Sequence, residues 1–294
     1  MAIATDTRLQ STGLGRAPGL QGWMLLSPLL LWLAIFVIVP TAILIVYSFG
    51  TSRGPARVDP NFSLDGYKDV FTPTTLRIFW RSIYYAAITT AVCVVVGYPV
   101  AYFIGRAPPR WRNRLLLLVM IPFWTSFMIR TYSWILILQD NGLMNSALRG
   151  MGLPFSIDML GQPSGELLGL IYSFLPFMIL PIYTSVEKLD NAMIEAAFDL
   201  GAGPVRAFGN VIVPLTRPGI VAGILLVFIP AIGTFAITDV LGRRKRDLIG
   251  NLIERQFVGR GGDWPYGSAL GVILLLIFVI CFWLSSRRSS AEFA

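Results

Sequence analysis

The sequence predicts an all-α membrane protein with six transmembrane helices, and three observations carry that prediction. Hydrophobic residues fill 55% of the 294 positions and charged residues only 14%, against about 25% charged in an ordinary soluble domain. The mean hydropathy is +0.67. The apolar residues also fall in nearly unbroken runs rather than the stripes of a soluble helical core. Such a chain has too little polar surface to cover a water-soluble globule of its size.

A helix needs about 20 apolar residues to cross the hydrocarbon layer, and six segments meet that requirement. The first, 23–49, is too long for a signal-peptide core and lacks a small-residue cleavage site. It is expected to persist as a spanning helix behind a polar, mobile leader, 1–22. The polar, turn-rich stretch GTSRGPARVDPNFSLDGYKDVFTP (50–73) leads toward the second span, 83–105. The arginine-rich linker RAPPRWRNR (106–114) joins this to the third, 115–138, and a loop at 139–165 precedes the fourth, 167–186. A charged island, 187–218, separates the fourth span from the fifth, 219–241, and the sixth runs 267–284 before a tail at 285–294. Pro28, Pro40, Pro99, Pro122, Pro176, Pro181 and Pro230 lie inside the runs and predict kinks rather than breaks. Gly219 with Gly223, and Gly267 with Gly271, permit close helix approach in the last two spans.

Charge gives the orientation only in part. The basic residues of the connecting segments divide evenly between the two sides. The tight linker at 106–114 favours a cytoplasmic position for itself and for both termini, while RRKR at 243–246 argues the other way.

Several function classes lack the residues they need. The chain has no histidine, which removes His-based catalysis and the commonest metal ligand. Cys93 and Cys281 sit inside apolar runs and read as buried hydrophobes, with neither a disulfide framework nor metal spacing. No G-x-x-x-x-G-K-[ST] phosphate loop occurs, so the sequence offers no nucleotide-hydrolysis motif of its own. The net charge of +8 is scattered over loops, which fits membrane topology rather than a nucleic-acid surface. An ion-driven secondary transporter would carry several paired intramembrane ionisable groups, whereas only Asp239 and Arg130 stand out. A scaffold or integral enzyme is weaker still, with no catalytic constellation.

The island decides the function. Residues 187–200, EKLDNAMIEAAFDL, predict an amphipathic helix in which Leu189, Met193, Ala196/Ala197 and Leu200 form a narrow apolar stripe, with Asp190, Glu195 and Asp199 away from it. Gly201 suits a helix carboxyl-terminal cap, and Pro204 the first turn of a second helix. Pro214 and Pro218 shape the return to the membrane. A rigid helix-turn-helix between two spans is a device for transmitting a push, and its two alanines allow close approach of a partner.

The pattern Glu195-Ala196-Ala197, three residues, Gly201, nine residues, then Val211-Ile212-Val213-Pro214 resembles the EAA signature of ABC-importer permeases. Val211 and Val213 depart from that family's Ile-x-Leu-Pro ending but keep its apolar character. The strings GYPVAYFI (97–104), IPFWTSFMIRTY (121–132), LPFMILPIYTSVEKLD (175–190), IGNLIERQF (249–257) and DWPYGSAL (263–270) are similar to the B-type permease subunits of spermidine/putrescine transporters. RRKR at 243–246 departs from the less basic, Gly-rich turn of that family. The resemblance implies a MetI-like type I importer fold in the bacterial inner membrane. It implies that 187–218 is a cytoplasmic coupling segment docking on an ATP-hydrolysing subunit through Glu195, Ala196, Ala197, Asp199, Gly201 and Pro214. It further implies a second, C-type permease, two ATPase subunits that hold the ATP and magnesium, and a periplasmic binding protein. No cofactor is expected in this chain.

For a polyamine cargo, Asp239 is the first candidate along the pathway. A charge near the bilayer centre costs about 2.5–3.5 kcal/mol on insertion scales, and Asp239 reads as the one acidic residue within the six runs. Capping of the helix end, or pairing with Arg130, is its structural alternative. Trp124, Trp134 and Phe235 could stack on an ammonium, which gains about 0.5–2 kcal/mol, or belong to interfacial belts. Arg130 is expected to snorkel outward or to pair with an acid. Opines, other small organic cations and amino-acid-like compounds stay open as cargo.

Overall fold

The computed structural model describes residues 20–54, 57–59, 61–152, 157–259 and 261–291. Residues 1–19 of the leader and 292–294 of the tail lie outside them. The chain begins with α1 (Leu20–Leu33), one π-helical turn (Ala34–Ile38) and α2 (Val39–Ser48). A short antiparallel hairpin of β1 (Thr51–Ser52) and β2 (Val58–Asp59) follows, pairing Thr51 with Asp59. Next come α3 (Asp65–Val70) and α4 (Pro73–Arg106). At 34 residues, α4 is about 51 Å long, so it outruns the bilayer and starts well before the predicted second span.

The third predicted span is not one rod. α5 (Pro109–Met120) passes into a 3-10 turn (Ile121–Trp124), and α6 (Phe127–Leu138) leaves at a bend of 90°. The expectation that Pro122 only kinks this crossing is therefore corrected. Pro122 sits at the second position of the tight 3-10 turn, and Thr125 and Ser126 then turn to ψ 151° and 134°, which cannot continue a helix. After α7 (Leu143–Gly150), α8 (Pro163–Glu187) traverses the bundle, and α9 (Asn191–Asp199) and α10 (Pro204–Ala207) form the island. A second π turn (Phe208–Ile212) leads into α11 (Val213–Gly233), then α12 (Ala236–Leu241), α13 (Ile249–Val258) and α14 (Trp264–Ala291). The fifth predicted span is corrected as well: its helix ends at Gly233, and Thr234–Phe235 separate it from the short α12. Each π turn ends two residues before a proline, Pro40 and Pro214. Widening the turn relieves the clash between the pyrrolidine ring and the carbonyl four residues earlier.

α8 fixes the two ends of the molecule. Arg112, at the start of α5, pairs with Glu187 at the last residue of α8, whereas Arg246 pairs with Glu166 in its first turn. The bent α5–α6 pair therefore leads from the α9 end of α8 to its other end and counts as one crossing, which brings the crossings among the described residues to six. The core is a triangle of α4, α8 and α11. Gly219 and Gly223 make that contact close: a Cβ on either would fall 2.4 Å from the Pro181 carbonyl or 2.6 Å from the Met178 sulfur. Met178, Ile182, Ile104 and Val227 fill the interface. α14 packs on α2, α3 and α13, while Ser48 is the only buried residue of the leading span (Leu26–Ser48).

Candidate functional site

The island folds as a helix, a sharp turn and a helix. α9 is shorter than the predicted 187–200 because Lys188 and Leu189 still belong to the exit from α8, and Asp190 takes the cap position. Its side chain accepts a hydrogen bond from the Ala192 amide at 3.0 Å, satisfying one of the orphan donors at a helix start. At the other end Gly201 has φ +81°. The Gly201 amide donates to the Phe198 carbonyl (2.9 Å) and Ala202 to Ala197 (3.0 Å), the paired bonds of a Schellman termination. Pro204 opens α10.

Of the predicted coupling residues, Glu195, Ala196, Asp199, Gly201 and Pro214 are exposed and Ala197 is buried. The stripe does not pack on the rest of the molecule as a unit. Leu200 is 89% exposed, Val205 84% and Met193 51%. Apolar side chains displayed together among carboxylates form a surface suited to a partner protein.

Behind this surface the elbow is tied to the bundle. The ring of Phe208 stands edge-on to Tyr98 (5.4 Å) and to Tyr102 (6.2 Å) of α4. Tyr98 and Thr216 of α11 join their hydroxyls at 2.8 Å. Arg112 reaches Glu187 at 2.7 Å, and Arg106 donates to Asn191 and to the Leu189 carbonyl. The linker at 106–114 thus grips the root of α9.

At the opposite end, Asp239 lies on α12, beyond the break in the fifth crossing. Its Oδ1 accepts from the Asn251 amide and its Oδ2 from Arg244 Nε at 3.3 Å. It neither caps a helix nor meets Arg130, whose guanidinium lies 4.8 Å from the Phe123 ring centroid and 6.0 Å from that of Phe127. Asp239 lines a cleft of about 210 Å³ with Arg244, Asp247, Glu254, Arg255, Val258 and Gly259. Trp124, Trp134 and Phe235 are not in that lining. Trp124 is exposed at the bend of the third crossing, Phe235 occupies the break, and Trp134 meets Tyr172 edge-on at 5.3 Å.

Among the described residues, α8 carries two carboxylates just outside the predicted run, Glu187 at its last position and Glu166 in its first turn. Glu166, fully buried, sits inside α8 one residue ahead of the predicted span, so Asp239 is not the sole carboxylate in the crossing helices. Arg246 approaches its Oε1 at 3.5 Å and donates to the Gly161 carbonyl at 3.2 Å. The RRKR run is accordingly a strap over the start of α8 and the end of α12, with Arg243 and Arg244 at positive φ. The Pro163 helix-start signal could have revealed Glu166; neither Asn251 nor Phe208 carries a charge that would single it out.

An all-helical bundle of six crossings with a displayed elbow at one end is the architecture of ABC-importer permeases. It superposes on a chain of a bacterial alginate ABC transporter, in complex with alginate pentasaccharide-bound periplasmic protein, with a TM-score of 0.70 at 17% identity, covering 91% of this chain and 93% of that one. The inward-facing MetNI methionine ABC transporter gives 0.54 at 17% identity, covering 74% and 94%. The chain belongs to the family of binding-protein-dependent transport system inner membrane components, matched over residues 94–289. It is 40% identical over 260 residues to the spermidine/putrescine transport system permease protein PotB of Escherichia coli, covering 87% of this chain and 94% of that protein. It is 41% identical over 254 residues to PotB of Haemophilus influenzae, covering 84% and 88%. The chain is thus a multi-pass permease subunit of a transport system, not an enzyme.

Proposed function

We propose that this permease forms half of the pathway through which an ATP-driven importer takes up a polyamine, spermidine or putrescine, delivered by a periplasmic binding protein. The observation that carries the cargo is the 40% identity to the E. coli spermidine/putrescine permease across 87% of the chain. A second, C-type permease supplies the other half, two ATPase subunits hold ATP and magnesium, and lipid surrounds the apolar exterior. In this arrangement α9 and both termini face the cytoplasm of a bacterial inner membrane, and the Asp239 cleft faces the periplasm.

Glu195, Ala196, Asp199 and Gly201 then form the contact with an ATPase, with Ala197 packed behind them and Pro214 setting the return into α11. Closure of the ATPases on nucleotide displaces α9. The rigid Schellman turn and the Phe208 contact pass the displacement to α4, and the Tyr98–Thr216 bond keeps α4 and α11 moving together. Such motion exposes the pathway to one side of the membrane at a time. At the outer end Asp239 meets a protonated amine, while Trp124, Trp134 and Phe235 offer π faces along the route.

The test is uptake of radiolabelled spermidine and putrescine by the whole complex in ATP-loaded proteoliposomes. Saturable ATP-dependent uptake of either supports the reading. Uptake of neither, with transport of an opine or amino acid by the same vesicles, replaces the cargo.

A further inference from the structure

The break in the fifth crossing is held by one neutral side chain. Asn251, in the first turn of α13, is 2% exposed. Its Nδ2 donates to the Phe235 carbonyl at 3.1 Å and to Asp239 Oδ1. Its Oδ1 accepts from Thr238 Oγ1 at 2.9 Å and from the Leu248 amide at 3.1 Å. All four hydrogen-bonding positions of the amide are therefore used. The orientation is also determined: a flipped amide would set its oxygen against the Asp239 carboxylate and the Phe235 carbonyl, and its NH2 against the Leu248 N–H.

This arrangement divides the work of the Asp239 carboxylate. One oxygen is fixed from the protein interior by a donor that carries no charge, so no cation faces the carboxylate from that side. The other oxygen turns to the cleft, where its partner is Arg244, a side chain 78% exposed and held by one 3.3 Å contact. The remaining charges facing the cleft are Asp247, Glu254 and Arg255, and Arg255 is already engaged by Asp247. A lysine or arginine at position 251 would hold Asp239 as firmly but would neutralise it from behind.

We infer that Asn251 is a positioning residue for cargo: it aims the cleft-facing oxygen of Asp239 at an incoming ammonium group without setting a cation behind the carboxylate, with Arg244 as the surface cation which the ammonium displaces. This rests on the reading of Asp239 as a cation-facing carboxylate.

The experiment measures initial rates of radiolabelled spermidine uptake by the complete complex in proteoliposomes, resolving KM from Vmax, beside the yield of assembled complex. Asp239→Asn should raise KM roughly tenfold, the scale of one lost charge-assisted contact. Asn251→Ala should raise KM severalfold, and should add nothing in the Asp239→Asn background, because the two act as a unit. A raised KM for Asp239→Asn beside a wild-type KM for Asn251→Ala overturns the positioning role and leaves the reading of Asp239 intact. A wild-type KM for Asp239→Asn removes both. Should Asn251→Ala fail to assemble, Asn251→Ser, which keeps a small hydroxyl in the same site but is too short to reach Asp239, takes its place. It should assemble with a severalfold raised KM; a wild-type KM from it refutes the positioning role.

Discussion

Phe208 meets Tyr98 edge-on, with ring centroids 5.4 Å apart and planes at 88°. The pair joins the elbow to α4 at the point where a π turn carries the chain from α10 into α11. Aromatic pairs of this geometry contribute about 0.5–1.5 kcal/mol beyond burial. Because Phe208 is 40% exposed, its truncation should cost far less than that of a core phenylalanine. Phe208→Ala is expected to leave assembly near normal and to lower uptake several-fold per ATP hydrolysed. Parallel assays of hydrolysis and uptake in proteoliposomes check this; an unchanged ratio means that Phe208 transmits nothing.

Gly201 closes α9 at φ +81°. A side chain there carries a strain of about 1–2 kcal/mol. Gly201→Ala should therefore loosen the Schellman turn and reduce uptake, and Gly201→Asn should be milder, since asparagine tolerates the left-handed region. Hydrogen exchange across 196–204 gives the direct readout, with faster exchange expected for the alanine variant first.

Glu195 is exposed on α9 and lies outside the contacts that fix the elbow. Glu195→Lys should leave the amount in the membrane unchanged, as a surface substitution shifts stability by about 0.5 kcal/mol or less. Uptake and co-purification of the ATPase should both fall. Full co-purification from this variant would remove Glu195 from the docking surface.

Glu166 is fully buried and Arg246 is 30% exposed. Arg246→Ala strands a buried carboxylate and should destabilise the bundle by about 3 kcal/mol. Adding Glu166→Gln to it should recover most of that loss. Thermal unfolding of the purified complex in detergent distinguishes this from a strap without energetic weight, for which the single and double variants would melt alike.

The six crossings were legible because bilayer thickness imposes a length and an apolarity that composition cannot hide. The elbow was legible as well, since Gly201 and Pro204 mark a helix end and a helix start by backbone chemistry alone. The bend at Thr125–Ser126 was not: a proline inside an apolar run signals a kink in most crossings, and only the 3-10 turn around Pro122 turns it into a break. Glu166 escaped because the hydropathy of the fourth run begins just after it, although the helix begins at Pro163. Asp239 was legible by its charge, but its partners were not. Asn251 and Arg244 reach it only after α12 and α13 have folded back on the break.

The right-angled third crossing also bears on biogenesis. Pro109–Trp124 and Phe127–Leu138 hold 16 and 12 residues, about 24 and 18 Å of helix, and each falls short of the roughly 30 Å hydrocarbon layer. Neither half is a self-sufficient membrane segment as it leaves the insertion machinery. The pair must shelter against neighbours already in place, or wait beside the channel until α8 emerges, so this stretch is the one whose integration depends on the order of synthesis.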